Sequence, residues 1–152
     1  MPDAAFKYDE QTDAARMVLE KSVFYTQACN HEFRQVIHLV AAGLAGSDVG
    51  IDTLKQFQIS TEHVKDFLID QIVKVYARNE HYIKRPKDSV LFRKVLDRSR
   101  KIATDEGDEL VSSRHLLLAA IASADRDDID VLEKVGLPID KALKHIREVK
   151  AN

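Results

Sequence analysis

The sequence predicts an all-α protein made of two copies of one four-helix unit, and three observations predict it. First, Gln35–Ala45 returns as Ser112–Ala122, with His38 on His115 at a spacing of 77 residues. The register holds without a gap through the preceding helix: Arg16 falls on Arg93, Val18 on Val95, Leu19 on Leu96, Ser22 on Ser99 and Glu32 on Glu109. An internal repeat of this length sets the architecture. Second, no alternating apolar–polar run of useful length marks a strand. Third, five glycines and three prolines leave little material for sheet turns.

Taken in order, residues up to about Gln11 read as a loose arm, with Phe6 and Tyr8 as anchors. Thr12 is a natural N-cap, and Asp13 follows in the first turn, where the helix dipole favours an anion. Ala14, Met17, Val18, Tyr25 and Ala28 form the expected inward stripe of the first helix. Its counterpart starts at the Ser89 cap and turns Leu91, Val95, Ile102 and Ala103 inward. A connector carrying Glu32 or Glu109 leads to the second helix, which is apolar nearly all round and so belongs at the centre of its unit. Ser112 and Ser113 offer caps there, whereas Gln35 and Val36 do not, so the first copy is expected to begin less cleanly.

Gly46–Gly50 and Ser123–Asp128 read as breaks before two short helices, Ile51–Phe57 and Ile129–Val135. These end at Gln58-Ile59 and Gly136-Leu137. Ser60 and Thr61 cap the fourth helix, with Val64, Phe67, Leu68, Ile72 and Val75 inward. Pro138 opens the last helix, where a missing amide proton costs nothing, and Leu143 and Ile146 continue it towards Asn152. Asn79–Asp88 is polar, basic and contains Pro86, which predicts a linker and not a strand. The expected division of the single domain is therefore a first unit over about 12–78, a linker over 79–88 and a second unit over about 89–150.

At 152 residues, 45% hydrophobic and 32% charged, the chain is long enough to bury a core without staples. A formal net charge of -2 gives no general attraction to nucleic acid or to an anionic membrane. The lone Cys29 excludes an internal disulfide and a multi-cysteine metal site, which favours a reducing compartment. The opening residues lack the basic-then-apolar order of a signal peptide, and no apolar run approaches the roughly 20 residues that span a bilayer. A cytoplasmic protein is the expectation.

The two units, each with a capped first helix and a second helix opening on a His-Leu-Leu-Leu-type run, resemble the double Clp repeat. That is the N-terminal domain of Clp-type AAA+ chaperones and unfoldases. The likeness runs from about Thr12 to Val149 and is most specific at Ser113-Arg114-His115-Leu116-Leu117-Leu118-Ala119-Ala120-Ile121. The segment Glu80-His81-Tyr82 before the Ser89 cap is similar to the family's inter-repeat linker. The resemblance implies two pseudo-symmetric repeats in one compact eight-helix domain. It also implies a non-catalytic role, docking adaptors or substrates for a Clp ATPase, or the ATPase itself, with no cofactor. Two departures are visible. The acidic residue that some members place before the histidine, which there receives phosphorylated arginine, is replaced by Ile37 and Arg114. No Gly-x-x-x-x-Gly-Lys-Ser/Thr occurs, so no loop of that kind cradles a nucleotide.

Several residues invite a sharper chemistry. His31, His38 and His115 would be the ligands if the chain were a small helical metal- or ligand-binding protein. The plainer reading of His38 and His115 is an imidazole that bonds a neighbouring backbone group or caps a helix. Cys29 beside His31 hints at a nucleophile and base, but adjacency supplies neither orientation nor an oxyanion site, and a packed thiol is the plainer reading. The carboxylates of Asp105–Glu109 and Asp125–Asp130 lack the ligand order of a calcium loop and read as solvated surface. For partner binding the linker is the candidate, with Tyr82, Lys84 and Arg85, joined by Arg114, which together favour acidic partner segments.

Overall fold

The computed structural model describes residues 10–75 and 81–149. Eight helices lie among them: α1 (Asp13–Ala28), α2 (Val36–Gly46), α3 (Asp48–Gln56), α4 (Thr61–Val75), α5 (Val90–Asp105), α6 (Ser113–Ala122), α7 (Arg126–Val135) and α8 (Ile139–Glu148). The all-α double repeat is the observed architecture. Phe6, Tyr8, Asn79, Glu80 and Asn152 lie outside the described residues.

Local chemistry sets the helix starts. Thr12 and Ser89, 77 residues apart, accept from the Ala15 and Phe92 amides at 3.1 and 3.0 Å. The buried residues of α1 are Ala15, Val18, Ser22, Tyr25 and Thr26, a stripe rotated from the expected one. Ala14, Met17 and Ala28 face outward, and Met17 and Phe24 are 55% and 65% exposed. Two hydroxyls make the inner stripe affordable to the fold. Ser22 donates to the Leu19 carbonyl (2.6 Å) and Thr26 to the Ser22 carbonyl (2.7 Å), so neither is left unsatisfied. In α5 the inward residues are Phe92, Val95, Leu96, Ser99 and Ala103, with Ile102 half-buried and Leu91 outside.

The short helices start earlier than the sequence suggested. Ser47 takes the Gly50 amide at 3.0 Å and starts α3 at Asp48, and Asp125 takes the Asp128 amide at 2.9 Å and starts α7 at Arg126. A serine between two apolar stretches is thus a cap and not a loop. α2 and α3 meet at 81° across Ser47. Gly50 makes the corner possible, because a Cβ there would collide with the Gly43 carbonyl oxygen. Among the described residues no single helix is long and apolar enough to cross a membrane.

The two repeats are interlocked. α2 packs on α6 at the centre, α4 packs on α7, and α3 packs on α8. Two short parallel pairings add to this. Phe33–Arg34 (β1) pairs with Lys87–Asp88 (β2), and Gln11 bridges to Val111. Gln11 and Asp88 are register equivalents, as are Arg34 and Val111, so each repeat lends a segment to the other. Hence the end of the linker is a strand, and Gln11 is buried and bridged, contrary to the expected loose arm. Arg34 ties one crossing together. Its Nε donates to Asp88 Oδ1 (2.8 Å), its Nη1 reaches the Leu19 carbonyl and the Ser22 hydroxyl, and its guanidinium lies 4.0 Å over the Phe92 ring.

Candidate functional site

The shared histidine is the third residue of its helix in both repeats. Its Nδ1 accepts the backbone N–H of the residue before the helix, Gln35 for His38 (2.8 Å) and Ser112 for His115 (2.9 Å). This is one half of a capping box, with imidazole in the place usually taken by Glu or Gln. The other half is present in both copies but is made differently. Ser112 Oγ accepts the His115 amide at 3.3 Å, whereas the His38 amide reaches the Gln35 backbone carbonyl at 3.1 Å. Ser113, the other candidate cap, is the first helical residue.

Because Nδ1 accepts, the proton of each neutral ring is on Nε2, and the acceptors of that proton distinguish the copies. His38 Nε2–H donates to His31 Nδ1 at 3.0 Å, in a pocket shared with Cys29. All three residues are buried. Burial, reinforced by His31 and Arg34, pushes the His38 pKa down to about 3. His115 Nε2–H instead faces Glu106 Oε1 and Asp108 Oδ2, both at 3.1 Å and both exposed. Burial and the Arg114 charge lower the His115 pKa, and Asp108 opposes them. The two clusters occupy the same register positions: Cys29 matches Glu106, His31 matches Asp108 and His38 matches His115.

Either trio brings its ligand atoms within 4.8 Å of one another, the spacing a metal would need. The tautomer argues against it. A metal-bound imidazole normally donates its other N–H, whereas here the other nitrogen already faces a backbone donor. Coordination at Nε2 would require a ring stripped of both protons. Nor does His115 join His31 and His38, so the three-histidine site does not assemble. Cys29 and His31 are 1% and 3% exposed, which denies a substrate the access that a nucleophile needs.

The linker residues are placed differently. Asn30, in left-handed conformation at φ 51°, accepts the Ile83 amide (2.8 Å) and donates to the His81 carbonyl (3.0 Å). Gln27 donates to the Lys84 carbonyl at 2.6 Å. The backbone is thereby pinned to the end of α1, while Tyr82 is 74% exposed and Lys84 and Arg85 are also outside. Phe24, one turn before Gln27 on α1, and Phe33, in register with Lys87, add exposed apolar surface. In the sequence this support is marked only by Asn30-His31 after a helix, a turn signal. Arg114 lies apart from the linker. It is 8% exposed, donates to Glu106 and reaches the Ile146 carbonyl at 3.5 Å, so its guanidinium is engaged inside the second repeat.

Two helical repeats, interlocked by exchanged strand segments and with their shared polar residues spent on the backbone, define a double-repeat helical domain. The chain belongs to the Clp repeat (R) N-terminal domain family, whose profile matches residues 10–146. Among solved structures it is similar to the Hsp104 N-terminal domain from Candida albicans, with 18% identity, TM-score 0.76 and coverage of 92% of this chain and 91% of that one. The N-terminal domain of the caseinolytic protease associated chaperone ClpD from Arabidopsis thaliana gives 11% identity, TM-score 0.73 and coverage of 93% and 97%. The ClpV N-domain in complex with a VipB peptide gives 18% identity, TM-score 0.63 and coverage of 91% and 86%. No curated protein sequence gives a significant match.

Proposed function

We propose that the chain is a non-catalytic protein-interaction module that docks adaptors or substrates for a Clp-type ATP-dependent unfoldase. It does so as the N-domain of such an enzyme or as a free-standing relative. The observation that carries this reading is the pinned linker. Asn30 and Gln27 hold the backbone around Tyr82, Lys84 and Arg85 in one conformation, so presenting those side chains costs little ordering entropy on binding. Tyrosine and arginine are the residue types that most often anchor interfaces. The peptide complex of the structurally similar ClpV N-domain supports a peptide-docking role. Arg114, turned inward on Glu106, is left out of the contact set.

The test is retention of a Clp-type ATPase, its adaptor or its client on immobilised chain with no metal added. Replacing Tyr82 and Arg85 together by alanine should weaken that binding by more than about 1.5 kcal/mol. Stability should change by no more than about 0.5 kcal/mol per substitution. Unchanged affinity in the double variant would place docking elsewhere.

A further inference from the structure

We propose that the groove between α5, α6 and α8 receives an aromatic side chain carried on an acidic peptide segment. This site is separate from the linker and does not depend on it. Ile102, Leu118 and Ala122 form an apolar floor beneath a space of about 270 Å³. A phenyl ring fits in that space, since cavities of about 150 Å³ already hold benzene.

The charge around the rim selects the sign of the ligand. The groove is bordered by Arg98 and Arg147 and by Asp105 and Glu106. The two acids are already neutralised, Asp105 by Lys101 at 3.3 Å and Glu106 by Arg114. Neither arginine has an acidic partner among the described residues; Arg98 Nη1 donates only to the Ser123 hydroxyl, at 3.1 Å. The arginines therefore remain available for carboxylates, which their planar forks hold well.

The first repeat shows what suits such a place. The register equivalent of Ile102 is Tyr25, a buried aromatic, and that of Arg98 is Lys21, which lies against Gly46 at the end of α2. Where repeat 1 carries a buried ring one helical turn from a lysine, repeat 2 has a shorter, half-buried side chain one turn from Arg98, and an open groove.

The test titrates three peptides into the full chain and follows backbone amides by NMR. Acetyl-Glu-Phe-Glu-amide should shift Ile102, Leu118 and Ala122 with millimolar affinity. Acetyl-Lys-Phe-Lys-amide and acetyl-Glu-Ala-Glu-amide should each bind at least about fivefold more weakly. Ile102→Tyr, which copies the first repeat, should abolish the shifts. Arg98→Gln with Arg147→Gln should lower affinity at least about fivefold without changing Tm, and this surface pair decides the matter if Ile102→Tyr does not fold. Tyr82→Ala with Arg85→Ala should leave this binding intact. No response to the acidic aromatic peptide at up to about 10 mM, equal binding of the basic one, or undiminished binding in the arginine double variant would each overturn the proposal.

Discussion

Repeat 1 closes the space around its capping histidine with Cys29 and His31, whereas repeat 2 opens the same space to solvent with Glu106 and Asp108. The role that survives in both copies is the one owed to the backbone: Nδ1 satisfies an amide that helix geometry leaves without a partner. The acceptor of Nε2–H was free to diverge, because any lone pair at that distance will serve. Duplication thus retains what the main chain demands and releases what only side chains demand. The left-handed positions teach the same lesson. Asn30 and Gly107 are equivalents, as are Gln58 and Gly136, and all four have positive φ. The following amides close the helix ends alike, His31 to Thr26 (3.1 Å) as Asp108 to Ala103 (2.8 Å), and Ile59 to Leu54 (2.9 Å) as Leu137 to Leu132 (3.0 Å).

The largest expected effect lies where the copies meet. Leu117 is 1% exposed, and its Cδ1 lies 2.9 Å from where a Cβ on Gly43 would be, so α6 fits into α2. Leu117→Ala should cost about 2–5 kcal/mol in urea unfolding. A loss below about 1 kcal/mol would mean that α6 is not central. Gly50→Ala should cost about 1–3 kcal/mol or more, because the α2–α3 corner must open. Asp128, the matching residue of repeat 2, already carries a Cβ at its corner; a loss below about 0.5 kcal/mol for Gly50→Ala would show that the α2–α3 corner is not crowded.

Acid should also divide the two clusters. His38 titrates at about 3 in the folded protein, below the ordinary 6.5, so between these values the unfolded chain binds a proton that the folded chain refuses. Stability from this residue is full above pH 6.5 and falls as pH drops towards 3, by up to about 1.4 kcal/mol per pH unit. His115 is depressed as well, but Asp108 offsets the effect, so its slope should be shallower. Urea titrations of His38→Gln and His115→Gln across pH 4–7 check this: the former should remove more of the acid slope, and equal slopes would contradict the contrast.

How far these features were legible depended on what bears the signal. Caps and the histidine keep strict spacing because hydrogen bonds fix it, Ala42 and Ala119 keep it because both are packed in the core, and the repeat could be read from them. The inner face of α1 could not. Ala14, Met17 and Ala28 follow the same 3.6-residue period as Ala15, Ser22 and Thr26, and the buried hydroxyls that satisfy themselves on the helix look polar in sequence. The exchanged strands are too short for alternation to show. His31 meets His38 only because Asn30 turns the chain back with positive φ.

The smallest predicted effects concern those turns. Gln58 holds φ 58° without the freedom of glycine. Gln58→Gly should therefore raise stability by up to about 1 kcal/mol, and Gly136→Gln should lower it by about the same amount. Asn30→Gly should destabilise despite the relief, because the linker loses both side-chain bonds. A gain in Tm for Asn30→Gly would show that the linker is not pinned there.

Both histidines are caps with the proton on Nε2. Long-range ¹H–¹⁵N NMR of the imidazole rings at pH 7 reads this directly. For His38 and His115 alike, Nδ1 should resonate as an unprotonated acceptor nitrogen and Nε2 as a protonated one. A proton on Nδ1 in either ring, or a charged ring at His38, would contradict the capping role.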